Sequence, residues 1–168
     1  MKRIVLTLAL LGSIAPMAYA QEASYYSTSH SPKDFYFIDP ASVEDVELVE
    51  GTYKKFELLW VLKPDAHPPL SWAHLGMVAD CGKPGEVAIS RSEGFNQEGK
   101  LIQSERANPN LALDWFTGPD ETHYYYAWKA ACTPGGWWNQ TKKFDKASDK
   151  EVVEWVHEYQ LKRAEKKL

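Results

Sequence analysis

Cysteine is scarce in this chain: among 168 residues there are only Cys81 and Cys132. Two thiols exclude a cysteine-rich zinc scaffold and a multiply bridged miniprotein, and leave room for one disulfide. Long hydrophobic runs are also lacking. The segment Ile4 to Ala15 is too short to span a bilayer, and nothing after Gln21 approaches the roughly 20 apolar residues that a membrane helix needs. Basic residues are the minority, 19 Lys and Arg against 23 Asp and Glu, which argues against nucleic acid or an anionic membrane surface as a partner. Catalytic signatures are missing too. The chain has no Gly-x-Ser-x-Gly elbow, no Ser-x-x-Lys motif, no phosphate-cradling glycine loop and no His-x-x-x-His pair.

What is present begins with an export signal. Lys2 and Arg3 precede the apolar run, and Ala18-Tyr19-Ala20 forms a small-residue processing site before Gln21, so residues 1–20 read as a signal peptide and the mature protein is expected in the periplasm or outside the cell. Its removal takes two cations and no acid, making the mature chain more acidic still. No cysteine stands at the processing site, so no lipid anchor is expected there. The remaining length suits one domain with a real hydrophobic core.

Residues 21–34 are polar and turn-rich, with Tyr25 and Tyr26 as the only candidate anchors, and read as a flexible lead-in. Phe35 to Ile38 is β-prone and stops at Asp39-Pro40, which predicts an edge-like first strand. From Tyr53 to Leu62 the pattern alternates: Phe56, Leu58, Trp60 and Leu62 share one face, Lys55, Glu57, Leu59 and Val61 the other. A proline-rich loop (Pro64, Pro68, Pro69) leads to a strand over 75–81, with Cys81 on the side of Leu75, Met77 and Ala79. Val87 to Arg91 and Lys100 to Ser104 read as a hairpin joined through Gly94 and Gly99. Together these predict an antiparallel sheet of about five or six strands.

The period then changes. Pro119, Asp120 and Glu121 look like a helix first turn, and Tyr124, Ala127, Trp128, Ala131 and Cys132 form an apolar stripe that stops before Pro134-Gly135-Gly136. Both cysteines fall on the buried sides of their elements, so a helix laid over the sheet brings Cys81 and Cys132 together. Closing a loop of that length stabilises a fold by about 4 kcal/mol in the chain-entropy description. A capping box, Ser148 with Glu151, opens a second helix carrying Val152, Trp155, Val156 and Tyr159, with Lys162, Arg163, Lys166 and Lys167 at its far end. The fold class is therefore α+β. Residues 35–132 make the main domain and 133–168 a linker with a C-terminal amphipathic helix.

The ordered landmarks Tyr36-Phe37-Ile38-Asp39-Pro40-Ala41-Ser42-Val43, Leu58-Leu59-Trp60-Val61-Leu62, Asp80-Cys81 and Trp128-Lys129-Ala130-Ala131-Cys132, after a signal peptide, resemble the surface-adhesin protein E-like family of Gram-negative bacteria. The resemblance spans roughly 35–132 and implies an antiparallel sheet with a helix held to one face by the disulfide. It also implies a secreted or outer-surface location and, for some members, binding of host extracellular proteins. The 133–168 tail departs from the family pattern.

Three chemistries compete for the remaining residues. Asp65, His67, His74 and Asp80 lie close in sequence, but without compact ligand spacing they read as loop histidines, and no metal, cofactor or catalytic residue is assigned. The paired acids Glu44-Asp45 and Asp120-Glu121 read as solvated charges. Tryptophan is more informative: of seven, Trp137 and Trp138 follow a Pro-Gly-Gly linker and form a candidate binding surface, unless they pin the C-terminal helix to the body. The expected function is a non-enzymatic exported interaction module with a protein partner in the envelope or host matrix. The alternatives are a small-ligand or glycan binder using tryptophans and a periplasmic hydrolase around Asp65, His67 and His74.

Overall fold

The alternating segment Tyr53–Leu62 is apolar on one face along its whole length and on the other only at its C-terminal end, so it can be covered from both sides. It is the central strand. A computed structural model describes residues 23–27, 34–46, 51–63, 67–107, 113–118, 122–134 and 143–166. Nine strands occur there: β1 (Ala23–Ser27), β2 (Asp34–Ile38), β3 (Glu44–Val46), β4 (Tyr53–Leu62), β5 (Trp72–Asp80), β6 (Glu86–Phe95), β7 (Leu101–Arg106), β8 (Trp115–Thr117) and β9 (Lys143–Ala147). They form one antiparallel sheet of order β7-β6-β5-β4-β2-β1-β9, with β3 beside β4 and β8 beside β6.

The sheet is wider than five or six strands because two segments contribute that looked unstructured. β1 comes from the expected lead-in and pairs Tyr26 with Ile38 and Ser27 with Phe37, so β2 lies inside the sheet rather than at its edge. Beyond β1 lies β9, from the expected linker. Neither strand carries enough apolar alternation to announce itself.

Two helices cover opposite faces. α1 (His123–Cys132) packs Ala127, Ala130 and Ala131 onto Ile38, Phe56, Leu58, Leu75, Met77 and Val87. Small residues on the helix let it approach the larger side chains of the sheet closely. It runs from His123, with Thr122 as the N-cap, its Oγ accepting from Tyr125 N at 3.3 Å, and the expected first turn at residues 119–121 lies outside the described residues. Cys81 and Cys132 are bonded, with Cα atoms 5.3 Å apart, and Trp128 Nε1 donates to Asp80 O (2.8 Å) at the same junction.

α2 (Asp149–Glu165) begins with the expected capping box, Ser148 Oγ accepting from Glu151 N and Glu151 Oε2 accepting from Ser148 N (2.7 Å). It lays Val152, Val153 and Val156 on Phe37, Leu59, Val61, Trp72 and Phe95. No helix among the described residues is long and apolar enough to cross a membrane.

Candidate functional site

Strand alternation and register sort the α2-side face into three cross-strand rows. Val61, Trp72 and Phe95 form an apolar row, Leu59, His74 and Glu93 a mixed one, and Glu57, Gly76 and Arg91 a charged one. α2 covers the apolar row and ends, at its first residue, above the mixed one. The charged row is left as the floor of an open cleft of about 410 Å³, walled also by Tyr25, Asp39, Ser42, Glu44, Lys55 and Asp149.

A β-bulge makes this arrangement. Met77 pairs with Ile89 but Gly76 pairs with Arg91, so Ser90 is the extra residue in β6. Without it, Arg91 and Glu93 would follow Val87 and Ile89 onto the α1 side. With it, they face the cleft. Arg91 then reaches over β5 to Glu57 on β4, Nη2 to Oε2 at 2.8 Å. That path crosses two inter-strand gaps, about 10 Å, and passes over Gly76, which has no side chain to block it.

At the α2 end, Asp149 is only 6 % exposed and its two oxygens are both engaged. Tyr25 OH donates to Oδ1, and His74 Nε2 lies 2.7 Å from Oδ2. Burial first, and then the Asp149 carboxylate, push the Tyr25 hydroxyl far above the usual tyrosine range, so it stays a proton donor. The network ties β1, β5 and the start of α2 together.

On the other wall, Asp39 Oδ1 accepts from Ala41 N (3.0 Å) and burial raises the carboxyl's pKa. Ser42 Oγ donates to Asp39 O (2.6 Å) and accepts from Glu57 N (2.8 Å), and Ser90 Oγ donates to Gly76 O (2.9 Å). Both serine hydroxyls of the cleft are thus held by backbone, not aimed at the imidazole of His74. Glu44 pairs with Lys55 at 2.7 Å.

Of the residues singled out by sequence, Cys81 and Cys132 form the staple, and Trp137 and Trp138 lie outside the described residues, as do Asp65, Asp120 and Glu121. His74 is in the cleft, whereas His67 is exposed beside Pro68 and Asp80 sits six residues along β5 from His74, about 20 Å away, bonded to Gly82 N and Lys83. His67, His74 and Asp80 therefore do not form one site. Glu44 and Asp45 do behave as solvated charges, paired across strands with Lys55 and Lys54. Of the five described tryptophans, Trp72 is buried and Trp60, Trp115, Trp128 and Trp155 are partly buried.

Sequence reasoning missed Tyr25, Glu57, Arg91, Glu93 and Asp149 as a group. One signal was available: on β4 the α2-side positions switch from Lys55 and Glu57 to Leu59 and Val61, marking where cover ends. The bulge that recruits Arg91 and Glu93 has no such mark. A comparison of the chain with family models, with curated proteins and with solved structures finds no match in any of the three.

Proposed function

We propose that this is an exported, non-enzymatic binding module that receives a polar group of its ligand or partner in the cleft beside α2. One observation carries this reading: the cleft is concave and lined by charged side chains held in place, while its hydroxyls and its imidazole are committed to structural hydrogen bonds. A hydrolase needs a nucleophile or a water held beside a free base, and here Ser42 and Ser90 donate to carbonyls and His74 is engaged by Asp149. A binding site needs only shape and fixed polar groups, which suits what is present.

The partner class follows from the export signal and from the resemblance to adhesin E-like proteins: an envelope or host extracellular protein, or a small molecule of that compartment. The acidic balance disfavours nucleic acid. The test is an amide NMR titration of the mature protein with a panel of polar fragments. Shifts confined to Gly76, Arg91 and Glu93, with each fragment recovered unchanged, support the reading. Turnover of a fragment would overturn its non-enzymatic half, and binding that spares these amides would overturn the site.

A further inference from the structure

We propose that the outer edge of β7 is a self-association surface, on which a second copy of this chain lays its own β7 antiparallel and joins the two sheets into one. The proposal stands apart from what the cleft binds.

The open edge carries it. β7 ends the strand order, pairs among the described residues with β6 alone, and has all six of its residues exposed. The ladder decides which backbone groups face outward. Ala107 N donates to Ser90 O at 2.8 Å, so by alternation Glu105 and Gln103 bond inward to Ser92 and Gly94. Ser104 and Arg106 therefore turn their N–H and C=O groups outward, as does Ile102 at the bulge opposite Phe95.

Sheets commonly defend such an edge with charge, proline or an irregular backbone, and this one does so more fully on its other side. There β9 holds Lys143, Asp145 and Lys146 within five residues, and Lys146 breaks the extended backbone with a φ of 51°. β7 has neither proline nor lysine. It carries Leu101 and Ile102, two of the four large apolar side chains that stand exposed among the described residues, at one end and Glu105 and Arg106 at the other.

That polarity selects the occupant. Antiparallel pairing about a two-fold axis at Ser104 sets the apolar end of each strand against the charged end of the other, Ile102 beside Arg106 and Gln103 beside Glu105. Ile102 then rests on the methylene stem of an arginine, and each carboxylate faces an amide that donates to it. Gln103 and Glu105 do share one face of β7, their side chains meeting at 3.2 Å. Moving the axis to Glu105 would oppose two carboxylates, and parallel pairing would oppose Glu105 to Glu105 and Arg106 to Arg106. The axis stands normal to the sheet, so both clefts open on the same side. Three strand spacings separate their Arg91 side chains, at least about 14 Å. One six-residue edge is smaller than a permanent interface, so the association is reversible.

The experiment is sedimentation equilibrium of the mature, disulfide-intact protein from about 10 μM to about 1 mM, the range in which so small a contact forms. A monomer–dimer equilibrium is expected, with concentration-dependent amide shifts at Ile102, Ser104 and Arg106. Ser104→Pro removes an outward N–H that β6 does not use, so it should leave the melting temperature unchanged. Symmetry deletes that bond from both copies, and dimerisation should weaken at least about tenfold. Ile102→Lys, which keeps the backbone and sets a cation against Arg106, should weaken it too, and this variant decides the matter if the proline disturbs the fold. A synthetic peptide of residues 100–107 should compete with the dimer and shift the same amides. A monomer throughout the range, or a dimer indifferent to both substitutions, would overturn the proposal. Equal competition by a scrambled peptide would overturn self-recognition in favour of a general acceptor of extended chains.

Discussion

Gly76 is the smallest residue of the cleft and the one its geometry depends on most. A Cβ there would stand 3.2 Å from both Arg91 Cβ and Ser90 Oγ, and Arg91 Cβ is too close to the β6 backbone to swing aside. Gly76→Ala should therefore displace Arg91 from Glu57 and destabilise the protein by about 1–3 kcal/mol, as overpacking does. Urea unfolding measures the second effect and the Arg91 Nε resonance the first. Two histidines set a pH response. Burial lowers the pKa of His123, and burial, partly offset by the bond from Nε2 to Leu62 O (3.2 Å), lowers that of His157 below the ordinary 6.5. Below that value the unfolded chain takes up protons that the folded chain refuses, so the stabilisation is complete above about pH 6.5 and is lost as pH falls. The melting temperature should drop between about pH 7 and pH 5. His123 also buries Nε2 without a partner while its ring stacks on Tyr36 at 4.0 Å. His123→Phe keeps the stack and removes the orphan, so it should flatten the acid limb and raise stability at neutral pH by about 1 kcal/mol, read in the same melts.

At the scale of elements, α2 has two tasks: it covers the apolar row and it delivers Asp149. Its capping box satisfies the helix start, and Ser148→Ala should cost about 1 kcal/mol in thermal or chemical unfolding. Asp149→Ala is expected to cost more, about 1–3 kcal/mol, because it leaves the buried Tyr25 hydroxyl without an acceptor and His74 without its carboxylate. A double-mutant cycle with Tyr25→Phe separates the two contributions: coupling near zero would mean that the β1 contact does not hold the helix start. Both helices could be read from the chain because their stripes and caps are local. The capping box at Ser148 and Glu151 is a contact of three residues' separation, whereas the bulge at Ser90 exists only relative to β5. That is why the strand over 87–91 could be anticipated while the side on which Arg91 lies could not. β1 was illegible for a related reason: its polar segment becomes a strand only by pairing with β2 and β9.

For the molecule as a whole, the sheet is held between two unlike covers. α1 is fixed covalently through Cys81–Cys132, across a separation of 51 residues, while α2 is held by packing and the Asp149 network. Reduction, or Cys81→Ala with Cys132→Ala, should lower stability by about 4 kcal/mol if the entropic account holds. Denaturant titration with and without reductant measures it, and an unchanged midpoint would show that the bridge only follows a geometry the packing already imposes. The α1 side should loosen first, visible as faster amide exchange at Ala127, Ala130 and Ala131 than at Val152 and Val156.

Alternation along β4, the apolar stripes of both helices and the pairing of two cysteines were set by local pattern, because burial of one face is written every second or every third to fourth residue. Register, the bulge and the meeting of Tyr25, His74 and Asp149 were settled only in three dimensions. Those contacts join residues as much as 124 apart, and a side chain's face depends on how strands pair rather than on its own neighbours in the chain.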